Sequence, residues 1–296
     1  MQRSATSNWF GVAPAWFVIG IFGLLPMFIM LGISFMEADP YGGVEPRFSY
    51  DAYVQFLFEY DLDDSLVFNP IYINIMARSV GLAALTTILC LIIGLPVAYF
   101  IARQPEEKRN LYMLLITIPF WTNLLIRTYA WILILTRNGV VDARLQSMGF
   151  EPGTFDLLYT NTAIFIGLVY SYLPFMVLPL YASLEKMDFR LIEAASDLYA
   201  SKWQAARQVI IPLAKPGIIA GSLLVFVPSI GAFIAPDLLG GGKRLMLGSL
   251  IHFQFATARN WPFGAAVSIL LMVFVMIALL IYLRANKGQG LPAGGH

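Results

Sequence analysis

Five stretches of this chain run more than twenty residues without a charged side chain. They lie between Arg3 and Glu37, Arg78 and Arg103, Asp156 and Glu185, Lys215 and Asp237, and Arg259 and Arg284. About twenty apolar residues in a helix span the hydrocarbon core of a bilayer. Only a helix or a closed barrel satisfies its backbone N–H and C=O groups there. A sixth stretch, about 111–135, is apolar apart from Arg127. The spacing therefore predicts an all-α membrane protein of six transmembrane helices, at about 11–35, 79–101, 111–135, 158–183, 216–236 and 263–283. Composition agrees: 12% of residues are charged, against about 25% in a soluble domain. Ala13-Pro-Ala15 precedes the first apolar core instead of following it, so the first span reads as an uncleaved anchor.

Six spans put both termini on one side. That side carries eleven of the 19 Lys and Arg, which places the termini and the 184–215 loop in the cytoplasm. Several chemistries are excluded. Cys90 is the single cysteine and His252 the single internal histidine, so neither a thiolate metal site nor a His-based catalytic set can be assembled. A net charge of +1 gives no footprint for nucleic acid. Gly240-Gly-Gly-Lys243 is no P-loop: Asp237 stands where the motif needs its first Gly, and Arg244 where Ser or Thr holds magnesium. No catalytic residue is expected.

The inner loop is the least membrane-like segment that still reads as helix. Leu191, Ala194, Ala195 and Leu198 share one face at three- and four-residue spacing. Small Ala side chains let another surface approach closely, and Pro212 and Pro216 are expected to interrupt the helix before the fifth span. A short helix docking on a cytosolic partner fits this pattern; so does an ordinary amphipathic helix lying at the membrane interface.

Glu193-Ala-Ala-Ser-Asp-Leu-Tyr199, followed by Val209, Ile211 and Pro212, resembles the cytoplasmic loop of permease subunits in binding-protein-dependent ABC importers. That loop reads Glu-Ala-Ala, three residues, Gly, nine residues, aliphatic, any, aliphatic, Pro. Tyr199 occupies the Gly position, so either the helix continues through it or Tyr199 packs on the partner. The resemblance extends over about residues 77–284. Ile118-Pro-Phe-Trp-Thr-Asn-Leu-Leu-Ile-Arg-Thr-Tyr-Ala-Trp131, the 167–181 segment, Asp237-Leu-Leu-Gly-Gly-Gly242 and Asn260-Trp-Pro-Phe-Gly264 are similar to signatures of polyamine importer permeases, most of all the first permease of spermidine/putrescine importers. It implies a type I importer (MetI-like) fold with three parts: an anchor and acidic outer loop at 1–76, the transmembrane domain at 77–284 with its coupling loop at 184–215, and a tail at 285–296. It also implies a multi-pass protein of the bacterial inner membrane. The implied partners are a second related permease, two copies of an ATPase that holds ATP and magnesium, and a periplasmic solute-binding protein. Glu193, Ala194, Ala195, Asp197, Tyr199 and Pro212 would couple to the ATPase. This chain itself would hold no cofactor.

A path for a flexible polycation needs aromatic faces and a few acceptors. Trp121, Asn123, Tyr129, Tyr170, Tyr172, Ser229, Phe233 and Asp237 are the candidates, although most aromatics in membrane helices serve packing. Asp237 either draws the cation inward or pairs with Arg127; both charges can also snorkel to the headgroups. The outer loop carries eight acids between Glu37 and Asp64 and reads as a solvated loop or a cation-steering surface. Relatives in the same subfamily import other small cations or amino-acid-like solutes, so the solute class is a finer expectation than the permease role. An ion-coupled transporter would need acids within the spans, and none precedes Asp237. An intramembrane enzyme would need a catalytic constellation.

Overall fold

A computed structural model describes residues 17–61, 63 and 65–287. The predicted start of the first helix at 11–16, Arg3, Ala13-Pro-Ala15, Asp64 and the tail from 288 lie outside the described residues. In chain order the elements begin with α1 (Phe17–Ile33), which contains a π-turn at Gly20–Leu24. Two hairpins follow, β1 (Met36–Ala38) with β2 (Val44–Phe48) and β3 (Phe58–Tyr60) with β4 (Leu66–Phe68), separated by the short helix α2 (Asp51–Val54). Then come α3 (Ile71–Ala102), α4 (Glu106–Trp121), α5 (Leu124–Leu135), α6 (Val140–Ser147), α7 (Asn161–Leu184) and α8 (Arg190–Asp197). α9 (Lys202–Ile230), α10 (Ile234–Leu239), α11 (Leu247–Ala256) and α12 (Trp261–Lys287) complete the chain. Among the described residues, five segments are long and apolar enough to cross a membrane: Ile71–Ala102, Leu124–Ser147, Asn161–Leu184, Lys202–Ile230 and Trp261–Tyr282; α1 is a shorter apolar helix.

The chain forms two compact units. One takes the described residues up to Ile73 and from Leu250 onward; the other is Asn74–Ser249. In the first, α1 packs on α12, and the described residues between β1 and β4 carry their own side-chain contacts. Phe35, Phe48, Tyr50 and Tyr53 form an aromatic cluster with ring centroids 4.8–5.9 Å apart. The Ser34 hydroxyl lies 2.9 Å from that of Tyr53. Gly43 N–H donates to the Arg259 carbonyl at 2.9 Å, and Asn260 Oδ1 accepts from Phe263 N–H at 3.1 Å. Asn260 thus caps α12, which explains the Asn-Trp-Pro-Phe segment locally: an amide to cap, then Pro262 in the first turn where no N–H is required.

The second unit holds the main apolar core, where Cys90 and Ala98 of α3 meet Met176, Val177 and Leu180 of α7 and Ala214 and Val225 of α9. α7 and α9 approach backbone to backbone. A Cβ on Gly217 would stand 2.5 Å from the Pro179 carbonyl oxygen and 2.9 Å from the Leu180 Cα, and one on Gly221 2.7 Å from the Met176 sulfur. This small-xxx-small pairing replaces the hydrophobic driving force that is missing between helices in lipid.

Three expectations about the spans are corrected. The third span is two helices, not one. Pro119 weakens the last turn of α4, Thr122 is extended with its hydroxyl on the Pro119 carbonyl at 2.7 Å, and Asn123 then caps α5 by accepting from Leu125 N–H at 2.8 Å. The fifth span starts earlier and stops earlier than 216–236. Pro212 and Pro216 do not interrupt it: a π-turn at Ala206–Ile210 leaves Pro212 in the first turn of the following α-helical segment, and Pro216 lies inside that segment. It ends at Ile230, so Asp237 sits on the separate helix α10.

Gly217→Val is expected to destabilise the detergent-solubilised protein by about 1–3 kcal/mol, since the new side chain meets backbone that cannot retreat. A thermal unfolding midpoint equal to that of the unchanged chain would contradict the close approach of α7 and α9.

Candidate functional site

The loop between α7 and α9 is built by local rules. Asp188 Oδ1 accepts from Arg190 N–H at 3.0 Å and starts α8. α8 ends in a two-bond C-cap: Ala200 N–H reaches the Ala195 carbonyl at 3.0 Å and Tyr199 N–H the Ser196 carbonyl at 2.9 Å. This is the Schellman arrangement, which places its C′ residue in the left-handed region. Tyr199 takes that place with φ +59°. The helix therefore does not continue through Tyr199; the turn that glycine makes easily is made by tyrosine. Ser201 and Gln204 then form a reciprocal capping box that starts α9.

The loop exposes large apolar groups. Leu198 is 82%, Tyr199 97% and Trp203 71% exposed. Glu193 and Asp197 line a crevice of about 710 Å³ whose other wall is Tyr99 and Arg103 of α3, with Lys202 and Ile210 from α9. Ala194 is exposed and Ala195 half-buried, and Pro212 is exposed on α9. Where the loop leaves α7, Glu185 accepts from Arg109 at 3.0 Å and from the Tyr181 hydroxyl at 2.8 Å, while Arg109 also donates to the Ala102 and Gln104 carbonyls. The loop root is thus tied to the end of α3 and the start of α4.

A second site forms where α4 gives way to α5 and α9 to α10. A pocket of about 260 Å³ is lined there by Phe120, Arg127, Tyr172, Phe175 and Phe233, together with the backbone around Gly231. Phe120 meets Phe175 edge-on at 5.1 Å, and Tyr172 lies 6.1 Å from Phe175. The Tyr172 hydroxyl donates to the Pro228 carbonyl at 3.2 Å, a group freed by the end of α9. Behind the break, a Cβ on Gly248 would overlap the Gly231 carbonyl, so only glycine fits that position.

Of the predicted pathway residues this pocket gathers Tyr172 and Phe233. Asn123 works as the α5 cap. Ser229 is fully buried with its hydroxyl on the Val225 carbonyl at 2.6 Å. Trp121 (86% exposed) and Tyr129 face outward, Tyr170 packs edge-on against Trp131 at 5.5 Å, and Asp237 lies on α10 outside the pocket lining. Sequence reasoning named Arg127 only as a charge that pairs with Asp237 or snorkels, and it missed Asp142. Arg127 lines the pocket with its Nε and Nη1 buried and without a hydrogen-bond partner. Asp142 accepts from Asn138 N–H, Gly153 N–H and Gln146 at 2.9, 3.0 and 3.1 Å, and so fastens the segment after α6. A lone Asp on a short, weakly apolar helix gave no periodic signal. No group of three or more His, Cys, Asp or Glu suited to a metal is found among the described residues.

A bundle of apolar helices with broken segments around a small pocket and an ordered, apolar-tipped loop is the build of a multi-pass permease. Residues 91–288 match the family described as the binding-protein-dependent transport system inner membrane component. The chain belongs to that family. It is 42% identical over 272 residues to the spermidine/putrescine transport system permease protein PotB of Escherichia coli K12, covering 92% of this chain and 94% of the relative. The PotB of Haemophilus influenzae is 41% identical over 266 residues, covering 90% and 89%. The fold matches a crystal structure of a bacterial ABC transporter involved in the import of the acidic polysaccharide alginate, with a TM-score of 0.72 at 15% identity over 97% of this chain and 98% of that one. That likeness speaks for the fold alone.

Tyr199→Gly is expected to relieve about 1 kcal/mol of left-handed backbone strain. Hydrogen exchange at the amides of Tyr199 and Ala200 should then slow several-fold; faster exchange would contradict the cap geometry.

Proposed function

We propose that this chain is the permease subunit of an ATP-driven importer that carries polyamines of the spermidine and putrescine kind across the inner membrane. The observation that carries the solute class is the 42% identity, spread over 92% of the chain, to permeases named for spermidine and putrescine. The aromatic lining around Tyr172, Phe175 and Phe233 suits an alkyl chain bearing ammonium groups.

The chain works as half of a pathway, beside a second related permease. Two ATPase subunits bind ATP and magnesium and perform the hydrolysis; this chain performs no chemistry. A periplasmic solute-binding protein delivers the polyamine, and both termini face the cytoplasm.

The 184–215 loop is the coupling element. Glu193, Ala194, Ala195, Asp197 and Tyr199 meet the ATPase, and Pro212 fixes the start of α9 behind them. The apolar tips of Leu198, Tyr199 and Trp203 support this reading, since large apolar groups held out from an ordered loop gain by burial against a partner. When the ATPases close on ATP, the loop is carried along. α7 and α9, joined by the loop and packed through Gly217, move with it and change the width of the pocket at their far ends.

The test is uptake of labelled spermidine and putrescine in cells with and without this chain, with amino acids and betaines as competitors. Uptake that depends on the chain and is competed away only by polyamines is the expected result. Glu193→Lys should reduce that uptake at least about 10-fold, equivalent to about 1.4 kcal/mol, while the amount of chain in the membrane stays unchanged. Undiminished uptake in that variant would remove the coupling role, and uptake competed by amino acids would remove the polyamine assignment.

A further inference from the structure

One guanidinium joins three helix ends. Arg109, in the first turn of α4, donates from Nη1 to Glu185 Oε1 at 3.0 Å and from Nη2 to the Ala102 and Gln104 carbonyls at 3.2 and 3.3 Å. Ala102 is the last residue of α3, and Glu185 directly follows α7. The C-terminal end of a helix has carbonyls without partners and a partial negative charge. Arg109 satisfies such carbonyls at α3, and at α7 it neutralises a carboxylate that stands at a negative end. Its side chain is only 22% exposed. The planar fork of donors suits three fixed acceptors better than an ammonium group does.

The far end of α4 is tied to α7 as well. Phe120 meets Phe175 of α7 edge-on at 5.1 Å, and both line the pocket where α4 gives way to α5. Between the two ties, Tyr112, Met113 and Ile116 pack against the core that holds Met176, Leu180 and Leu184 of α7. Arg109 to Phe120 is about 16 Å along α4, and Glu185 to Phe175 about 15 Å along α7. α4 therefore lies antiparallel to α7, with its two ends fixed at matching heights. Leu111, Leu114, Leu115 and Ile118 on the opposite face are exposed, so α4 is held from one side. Resting on the reading that the 184–215 loop couples to an ATPase, we propose that Arg109 is a positioning residue that makes α4 travel with α7, so that a displacement of the loop reaches the Phe120 wall of the pocket. The Arg109–Glu185 contact stays closed throughout the cycle.

The experiment uses the complete importer in proteoliposomes with its binding protein, and reads spermidine uptake and binding-protein-stimulated ATP hydrolysis side by side. Arg109→Gln is expected to cut uptake at least about 10-fold while hydrolysis stays within about twofold, so that uptake per ATP falls. Arg109→Lys keeps the charge without the fork and should fall between the two. Arg109→Cys combined with Glu185→Cys should show the same uncoupling. A short linker that joins the two thiols should return uptake to at least about half that of the unchanged importer; Cys90 is buried away from the reagent. The joined pair also decides the case if Arg109→Gln lowers the amount of chain recovered. Three results overturn the proposal: uptake in Arg109→Gln within about twofold of the unchanged importer, uptake and hydrolysis that fall together, or a joined pair that carries no more than the unjoined one. Undiminished uptake in Glu193→Lys overturns the loop reading itself, whatever Arg109 does.

Discussion

The contact of α7 with α9 is the constraint on which the second unit depends. Gly217 and Gly221 bring the backbone of α9 against Pro179, Leu180 and Met176 of α7, and the same faces supply Val177, Ala214 and Val225 to the core. The two helices are joined by the exposed loop, so both roots of that loop stand on one rigid pair. At the other end the pair stops differently: α7 is capped by Thr160, while α9 ends at Ile230 and frees the Pro228 carbonyl for Tyr172. The same pair thus joins the loop to the pocket lined by Tyr172 and Pro228.

Much of this organisation was legible in the chain. Charge-free gaps located the apolar helices, because a buried charge in lipid is too unfavourable to be scattered at random. The Glu193 segment was legible because its spacing is carried by helix geometry and capping, both local. The breaks were not. Pro119 and Asn123 together signal the end of one helix and the start of the next, yet an apolar run hides them, since hydropathy does not distinguish one span from two half-spans. Pro212 and Pro216 misled in the opposite sense: a π-turn over Ala206–Ile210 absorbs the first proline, and nothing in residue type announces it.

The candidate site was legible by residue type more than by position. Tyr172 and Phe233 reach the pocket, while Ser229 and Asn123 are held by backbone groups beside them. Short polar side chains satisfy local carbonyls and N–H groups first, so their presence in a span is weak evidence of a path. Tyr199 shows how a local motif survives an unfavourable residue. The cap keeps both hydrogen bonds with tyrosine at a left-handed position. The residue that glycine would leave as bare backbone becomes an aromatic tip in solvent. An aromatic and an aliphatic side chain at that tip enlarge the apolar surface a partner can cover.

Cys90 is the single cysteine and is buried, which makes a thiol placed at Ser196 the one reactive group on the loop. Cross-linking from that position in the assembled importer, with and without ATP, tests the coupling role most directly. The account predicts a cross-link to the ATPase subunit whose formation blocks transport. A thiol that cross-links to no protein, or whose cross-link to the ATPase leaves transport unchanged, would contradict it.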